Sequence, residues 1–258
     1  MRNVKLIIEY DGTGYCGWQV QKNAKNSIQG VVERVLEGIV GHRVKVIAAG
    51  RTDKGVHSLG QTVNFKTGCR IPAGNIKAAL NSLLPRDISV LRAEDVFWDF
   101  HSRYGAKNKT YCYLILNRGE PSPLLRNRAY PAPYRLNLAR MRLAAGMLVG
   151  RHNFRAFCAS GSSATNTVRV IERVSIRRGP GAFLGLRQWG DNAGLIAVYI
   201  CGNGFLYNMV RSIAGTLLDI GRGKKDVGIM QEILQSGRRA LIGPTLPAYG
   251  LYLCAVDY

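Results

Sequence analysis

A carboxylate between two cations is the first grouping in the sequence that could do chemistry. Asp53 sits in Gly50-Arg51-Thr52-Asp53-Lys54-Gly55-Val56-His57, with Arg51 and Lys54 close on either side. Nearby cations favour the ionised form of a carboxyl group. An ionised carboxylate on a short polar loop can attack as a nucleophile, accept a proton, or ligate a metal. It can also do no more than close an Asx-type turn on backbone N–H groups. The loop by itself leaves these readings open.

Two other patterns carry less. Gly12-Thr13-Gly14-Tyr15-Cys16-Gly17 has the form of a dinucleotide-binding fingerprint. Helical periodicity, however, starts only near Ser27, and the acids about twenty residues on, Glu33 and Glu37, fall inside that helix. A surface turn presenting Trp18 and Gln19 is the better reading, and no phosphate-binding loop follows elsewhere. The six cysteines (Cys16, Cys69, Cys112, Cys158, Cys201, Cys254) form no C-x-x-C pair. Neither a metal site nor a small-molecule cofactor is expected. Reduced thiols and the absence of a secretory pattern suit a cytoplasmic protein. No apolar run nears the roughly 18 residues that span a membrane.

The elements that must position these residues follow from periodicity. Val4 to Tyr10 reads as a strand. Ser27 caps a helix whose apolar residues Ile28, Val31, Val32, Val35, Leu36, Ile39 and Val40 recur at helical spacing. Val44 to Ala49 and Gly60 to Lys66 are expected as strands on either side of the Asp53 loop. Pro72 to Leu84 is expected as a helix, and Ile88–Ala93 and Val96–His101 as strands. The order then recurs: strand 110–116, a helix capped by Asn137, strands 168–176 and 195–200, helices 205–220 and 226–235, and a closing strand 251–256. This predicts an α+β fold of two similar α/β halves with antiparallel sheets, residues 1–103 and 104–258.

Charge points to the partner. The 258 residues hold 36 Lys plus Arg against 16 Asp plus Glu, a net charge of +20, and 25 of the cations are Arg. Such self-repulsion is tolerable when a polyanion neutralises it, and Arg forks match phosphate. Residues 103–155 carry 11 basic residues against one acid, Glu120. Aromatics in the block and just past it, Tyr104, Tyr111, Tyr113, Tyr130, Tyr134, Phe154 and Phe157, offer surfaces for stacking on bases or for building a core. The block reads as a nucleic-acid footprint, with Arg103, Arg126, Arg128, Arg140 and Arg142 as its candidate contacts.

Several segments in order resemble the TruA family of tRNA pseudouridine synthases. They are Tyr10-Asp11-Gly12-Thr13 with Gly17-Trp18-Gln19; Gly50 to His57; Phe100-His101-Ser102-Arg103 with Lys109-Thr110-Tyr111-Cys112-Tyr113; His152-Asn153-Phe154; Asn166 to Arg169; Phe205 to Arg211; and Pro247 with Gly250-Leu251-Tyr252-Leu253. Lys54 and Ser102 stand where alanine is common in that family, and Cys112 lies between the two tyrosines.

The resemblance implies a ferredoxin- or RRM-like sheet arrangement with a central basic cleft. It implies isomerisation of uridine to pseudouridine at positions 38, 39 or 40 of the tRNA anticodon arm, by a homodimer, with no cofactor and no metal. It makes Asp53 the nucleophile, Arg211 its ion-pair partner, and Tyr111 the ring that stacks on uracil and moves a proton. Arg51 helps extract the target nucleotide, and Leu251 lines the base pocket. Each has a plainer reading: a solvated helix arginine for Arg211, core side chains for Tyr111 and Leu251. The competing function is a non-catalytic RNA-binding protein or RNA chaperone on the same fold.

Overall fold

Alternation along β1 (Arg2–Tyr10) buries Val4, Leu6, Ile8 and Tyr10 on one face. In this computed structural model, which describes residues 1–21, 26–162, 164–179 and 194–258, that face is covered by two helices. α1 (Ile28–Val40) begins where Ser27 Oγ accepts the Gly30 N–H at 3.2 Å and ends at Gly41 in the left-handed region. Ile28, Val32, Leu36 and Val40 form its buried face. α2 (Ala73–Leu83) adds Ile76 and Leu80. Each such aliphatic side chain withdrawn from water contributes about 1.5–3 kcal/mol.

The chain divides into two compact units, residues 1–109 with 252–258, and residues 110–251. In the first, the strand order is β4 (Ile88–Val96), β1, β3 (His57–Thr67), β10 (Leu251–Asp257), with β2 (Ile47–Ala48) also on β3. β1 runs antiparallel to β3, with Val4 opposite Phe65 and Leu6 opposite Val63. β10 joins β3 in parallel, Tyr252 opposite His57 and Leu253 opposite Ser58. The chain's last residues therefore support the strand that leaves the Asp53 loop.

In the second unit the order is β5 (Asn108–Leu116), β9 (Leu195–Gly202), β8 (Val168–Arg178), β7 (Gly150–Asn153). β6 (Tyr130–Pro131) pairs in parallel with β5. α3 (Leu138–Gly146) is capped by Asn137, whose side chain accepts the Arg140 N–H. α4 (Met209–Gly221) is buried along nearly its whole length, as befits a helix that is apolar on most sides, and α5 (Ile229–Ser236) follows it. Across the described residues the pairing is mostly antiparallel, with ten strands and five α-helices. No described helix is long and apolar enough to cross a membrane.

Three expected elements differ. The 44–49 strand shrinks to Ile47–Ala48, because α1 side chains take the backbone groups of Val46: its N–H donates to Glu33 Oε1 at 2.9 Å, and its carbonyl accepts from Gln29. Residues 97–101 form a turn instead of a strand. The buried Asn3 amide donates to the carbonyls of Phe97 at 3.1 Å and Phe100 at 2.9 Å, satisfying them without a ladder. The helix expected from Phe205 begins only at Met209, because Asn208 is left-handed, with φ 61° and ψ 4°.

Candidate active site

The Asp53 loop is held by its own unit at both flanks. Asp53 is half-buried at the first position of a tight turn, where the Val56 N–H donates to the Asp53 carbonyl at 3.1 Å. Gly55, at φ 79°, takes the position that such a type II turn needs left-handed. The preceding residue is pinned more firmly. The buried Thr52 hydroxyl meets Tyr10 Oη at 2.7 Å, and its carbonyl accepts the Trp18 N–H at 2.9 Å. Burial pushes the Tyr10 phenol well above its usual range, so it stays a neutral partner. Gly50 carries a second anchor: its carbonyl accepts Gln61 Nε2 at 2.7 Å.

Gly17 makes the close approach possible. It lies at φ 105°, and a Cβ there would stand 2.7 Å from the Thr52 carbonyl oxygen. The Gly17 carbonyl in turn accepts the Ile28 N–H at the start of α1. The glycine pattern that imitates a dinucleotide site is thus the support of the Asp53 loop.

His57 closes the other end. Its ring is buried, stacked on Tyr252 with centroids 4.8 Å apart. Nδ1 stands 3.1 Å from both Asp11 Oδ1 and the Gly12 amide nitrogen. A single nitrogen cannot donate to the first and accept from the second at full strength. The carboxylate decides, since a charge-assisted bond is roughly twice as strong as a neutral one. The hydrogen bond from His57 accordingly holds Asp11 well below the usual carboxylate range, against the opposing effect of its partial burial. Buried among these partners, His57 is an anchor for the loop.

In the second unit one short segment serves two of the expected residues. Tyr111, buried on β5, meets the edge of the Phe205 ring at 5.0 Å and 77°. Arg211, in the first turn of α4, is half-buried: Nη1 donates to Asn208 Oδ1 and Nε to the Leu246 carbonyl, both at 2.6 Å. It is not a solvated helix arginine. Gly204 and Asn208 both precede α4. Gly215 on α4 permits a close approach: a Cβ there would fall 1.8 Å from the Pro244 carbonyl oxygen. The loop that carries Leu246 can therefore lie against α4. Leu251 is buried.

The candidate RNA contacts separate by environment. Arg51, Arg103, Arg126 and Arg128 are exposed, Arg126 donating Nη1 to the Pro123 carbonyl at 2.7 Å. Arg103 lies 5.6 Å from the Tyr104 ring, which is 77% exposed and packs against the His101 ring with centroids 4.4 Å apart. Arg140 is already engaged by Asp226 at 3.1 Å and the Lys225 carbonyl, and Arg142 by the Ile176 carbonyl. Tyr113, Phe154 and Phe157 are core. Lys109 stands out in the sequence only as a motif position; its ammonium stands 3.6 Å from where a Gly50 Cβ would be, a cation against the base of the Asp53 loop. Among the described residues no group of three or more His, Cys, Asp or Glu side chains could hold a metal, and no disulfide is formed.

The family model described as tRNA pseudouridine synthase matches residues 6–105 and 144–258. The chain belongs to the tRNA pseudouridine synthase family. Similar curated proteins extend the likeness to full length. A tRNA pseudouridine synthase A of Acetivibrio thermocellus is 47% identical over 258 residues, all of both chains. One from Caldicellulosiruptor bescii is 46% identical, and a tRNA pseudouridine synthase A 2 of Clostridium perfringens 43%, each again over the whole of both chains. The matched stretches of the family contain the Asp53 loop, the Phe205–Arg211 segment and Leu251. Tyr111 and the arginines at 126, 128, 140 and 142 lie between them, within the full-length likeness only.

Proposed function

We propose that this protein is an isomerase that converts uridine to pseudouridine in tRNA, acting at positions 38, 39 and 40 of the anticodon stem-loop with Asp53 as its nucleophile. The reaction breaks the bond from ribose C1′ to uracil N1, turns the uracil, and forms a bond from C1′ to C5; C5 loses its proton and N1 gains one. Substrate and product have the same atoms and oxidation level, so the residues need only attack, orient and move a proton. The Asp53 carboxylate serves attack at ribose C1′ or at uracil C6. Arg211 keeps that carboxylate ionised and oriented; without such a partner a buried carboxyl tends to protonate. Tyr111 stacks on the uracil and moves the C5 proton, and Leu251 lines the pocket.

A base within a stem must be flipped out first, at about a few kcal/mol. Arg51 takes the vacated place or binds the displaced phosphate, and contacts from Arg103, Arg126, Arg128, Arg140 and Arg142 to the tRNA backbone offset the cost. The working protein is a homodimer, which sedimentation checks.

The observation that carries this reading is the half-buried Asp53 on a turn tethered through Thr52 to Tyr10 and Trp18, within the stretch that matches the family. Pseudouridine mapping on unmodified tRNA tests it. Wild type should modify the anticodon arm, and Asp53→Ala should lose roughly 10⁴-fold or more in rate while binding tRNA as before. An Asp53→Ala protein as active as wild type would end the nucleophile assignment. A wild type that binds tRNA but modifies nothing would favour an RNA chaperone.

A further inference from the structure

Asn208 is the one described residue other than glycine with a positive φ. Asparagine tolerates the left-handed region better than most residues, but glycine does so at less cost. The side chain is therefore retained at a position where lacking one would be easier. It is not spent on the helix end, since Asn208 makes no side-chain capping bond to α4. It is spent on Arg211, whose Nη1 donates to Oδ1 at 2.6 Å.

We infer that Asn208 is a positioning residue that sets the direction of the Arg211 guanidinium. This rests on the proposed service of Arg211 to Asp53. The left-handed turn puts this contact at the entry of α4 instead of within the helix. Were Asn208 helical, the helix would continue back through Leu206 and Phe205, and the side chain at 208 would lie along the α4 surface. The turn instead ends the helix at Met209, and the amide oxygen lies within reach of the guanidinium three residues on. The Leu246 carbonyl fixes Nε from another side. Two bonds at different nitrogens fix both the place of a planar fork and its rotation, which a single bond would leave free.

The same turn has a second use. It leaves Phe205 outside the helix, with the Tyr111 ring against it. The Ala159 N–H donates to the Tyr207 carbonyl at 3.0 Å, tying the segment between them to the body of the unit. Residues 205–208 thus brace a base-stacking tyrosine at one end and the arginine at the other.

Asn208→Gly separates the two roles of the residue, because it keeps the backbone conformation and deletes only the amide. Single-turnover pseudouridylation should fall about tenfold or more, with tRNA affinity and thermal midpoint held. The acidic limb of the pH–rate profile should move to higher pH, since a wandering guanidinium holds the Asp53 carboxylate less firmly ionised; a purely structural role would not move it. Asn208→Asp, which keeps an acceptor oxygen and the tolerance of positive φ, should recover most of the rate at pH 8. Asn208→Gly at the wild-type rate with an unmoved acidic limb overturns the inference. The parallel variant Arg211→Gln keeps the two readings apart. If it is inactive while Asn208→Gly is fully active, only the positioning claim fails. If Arg211→Gln is itself fully active, the role of Arg211 fails and the inference with it.

Discussion

Gly17→Ala should damage catalysis while every side chain proposed to act in it is kept. The new methyl would stand 2.7 Å from the Thr52 carbonyl oxygen and 3.2 Å from the Asp53 carbonyl carbon and the Lys54 nitrogen. Ordinary contact begins at 3.4 Å, so the loop must retreat by about 0.7 Å from Gly17. The Thr52 carbonyl accepts the Trp18 N–H, so this retreat stretches the bond that fixes the loop. A 1 Å misplacement of reacting groups costs about 100-fold, so a rate loss of roughly ten- to a hundredfold is expected. Alanine at φ 105° adds about 1–2 kcal/mol of backbone strain, and the crowding about 1–3 kcal/mol.

A total near 3 kcal/mol lowers the thermal midpoint by about 6–12 °C in a chain of this length. The assay is single-turnover pseudouridine formation on unmodified tRNA, below both melting transitions, with filter binding for affinity. Gly14→Ala is the control, since a Cβ there meets nothing within 4 Å and the backbone is not left-handed. If Gly17→Ala is destabilised yet turns over at the wild-type rate, the loop position does not govern the chemistry. If it is neither slower nor less stable, the close approach at Gly17 is not a constraint at all.

Two further outcomes follow from the charged groups. Because His57 depresses the folded pKa of Asp11, the pair stabilises fully above the unfolded carboxyl pKa near 3.9 and is lost as pH falls through the lower folded value. Asp11→Asn should therefore cost on the order of 1 kcal/mol at pH 7, discounted for its partial exposure, and thermal midpoints should show a smaller gap from wild type at pH 3 than at pH 7. An equal gap at both pH values would refute the pair. Among the arginines, Arg126→Gln should reduce the slope of log affinity against log salt by about one. Arg140→Gln, already engaged by Asp226, should change that slope less and cost about 0.5 kcal/mol in stability; equal changes in slope would mean the ion pair opens to admit RNA.

What local pattern controls was legible in the sequence. α1 begins at the Ser27 cap and buries its Ile28, Val32, Leu36 face as periodicity requires, because both depend on neighbours within a few residues. The Asp53 motif, the arginine excess and the order of strands and helices are equally local or compositional. Where a side chain meets a distant backbone, pattern was silent. It could not show Asn3 taking the carbonyls of Phe97 and Phe100 across more than ninety residues, which turns an expected strand into a turn. It could not show that the glycines after β1 hold the Asp53 loop, that β10 returns to lie parallel with β3, or that the Leu246 carbonyl comes back to hold Arg211. Residue types and spacing singled out the Asp53 carboxylate, and the family resemblance proposed Arg211, Tyr111 and Leu251 beside it. Which carbonyl, ring or amide holds each of them was decided by tertiary packing, because a hydrogen bond between residues far apart in sequence exists only once the chain has closed the loop between them.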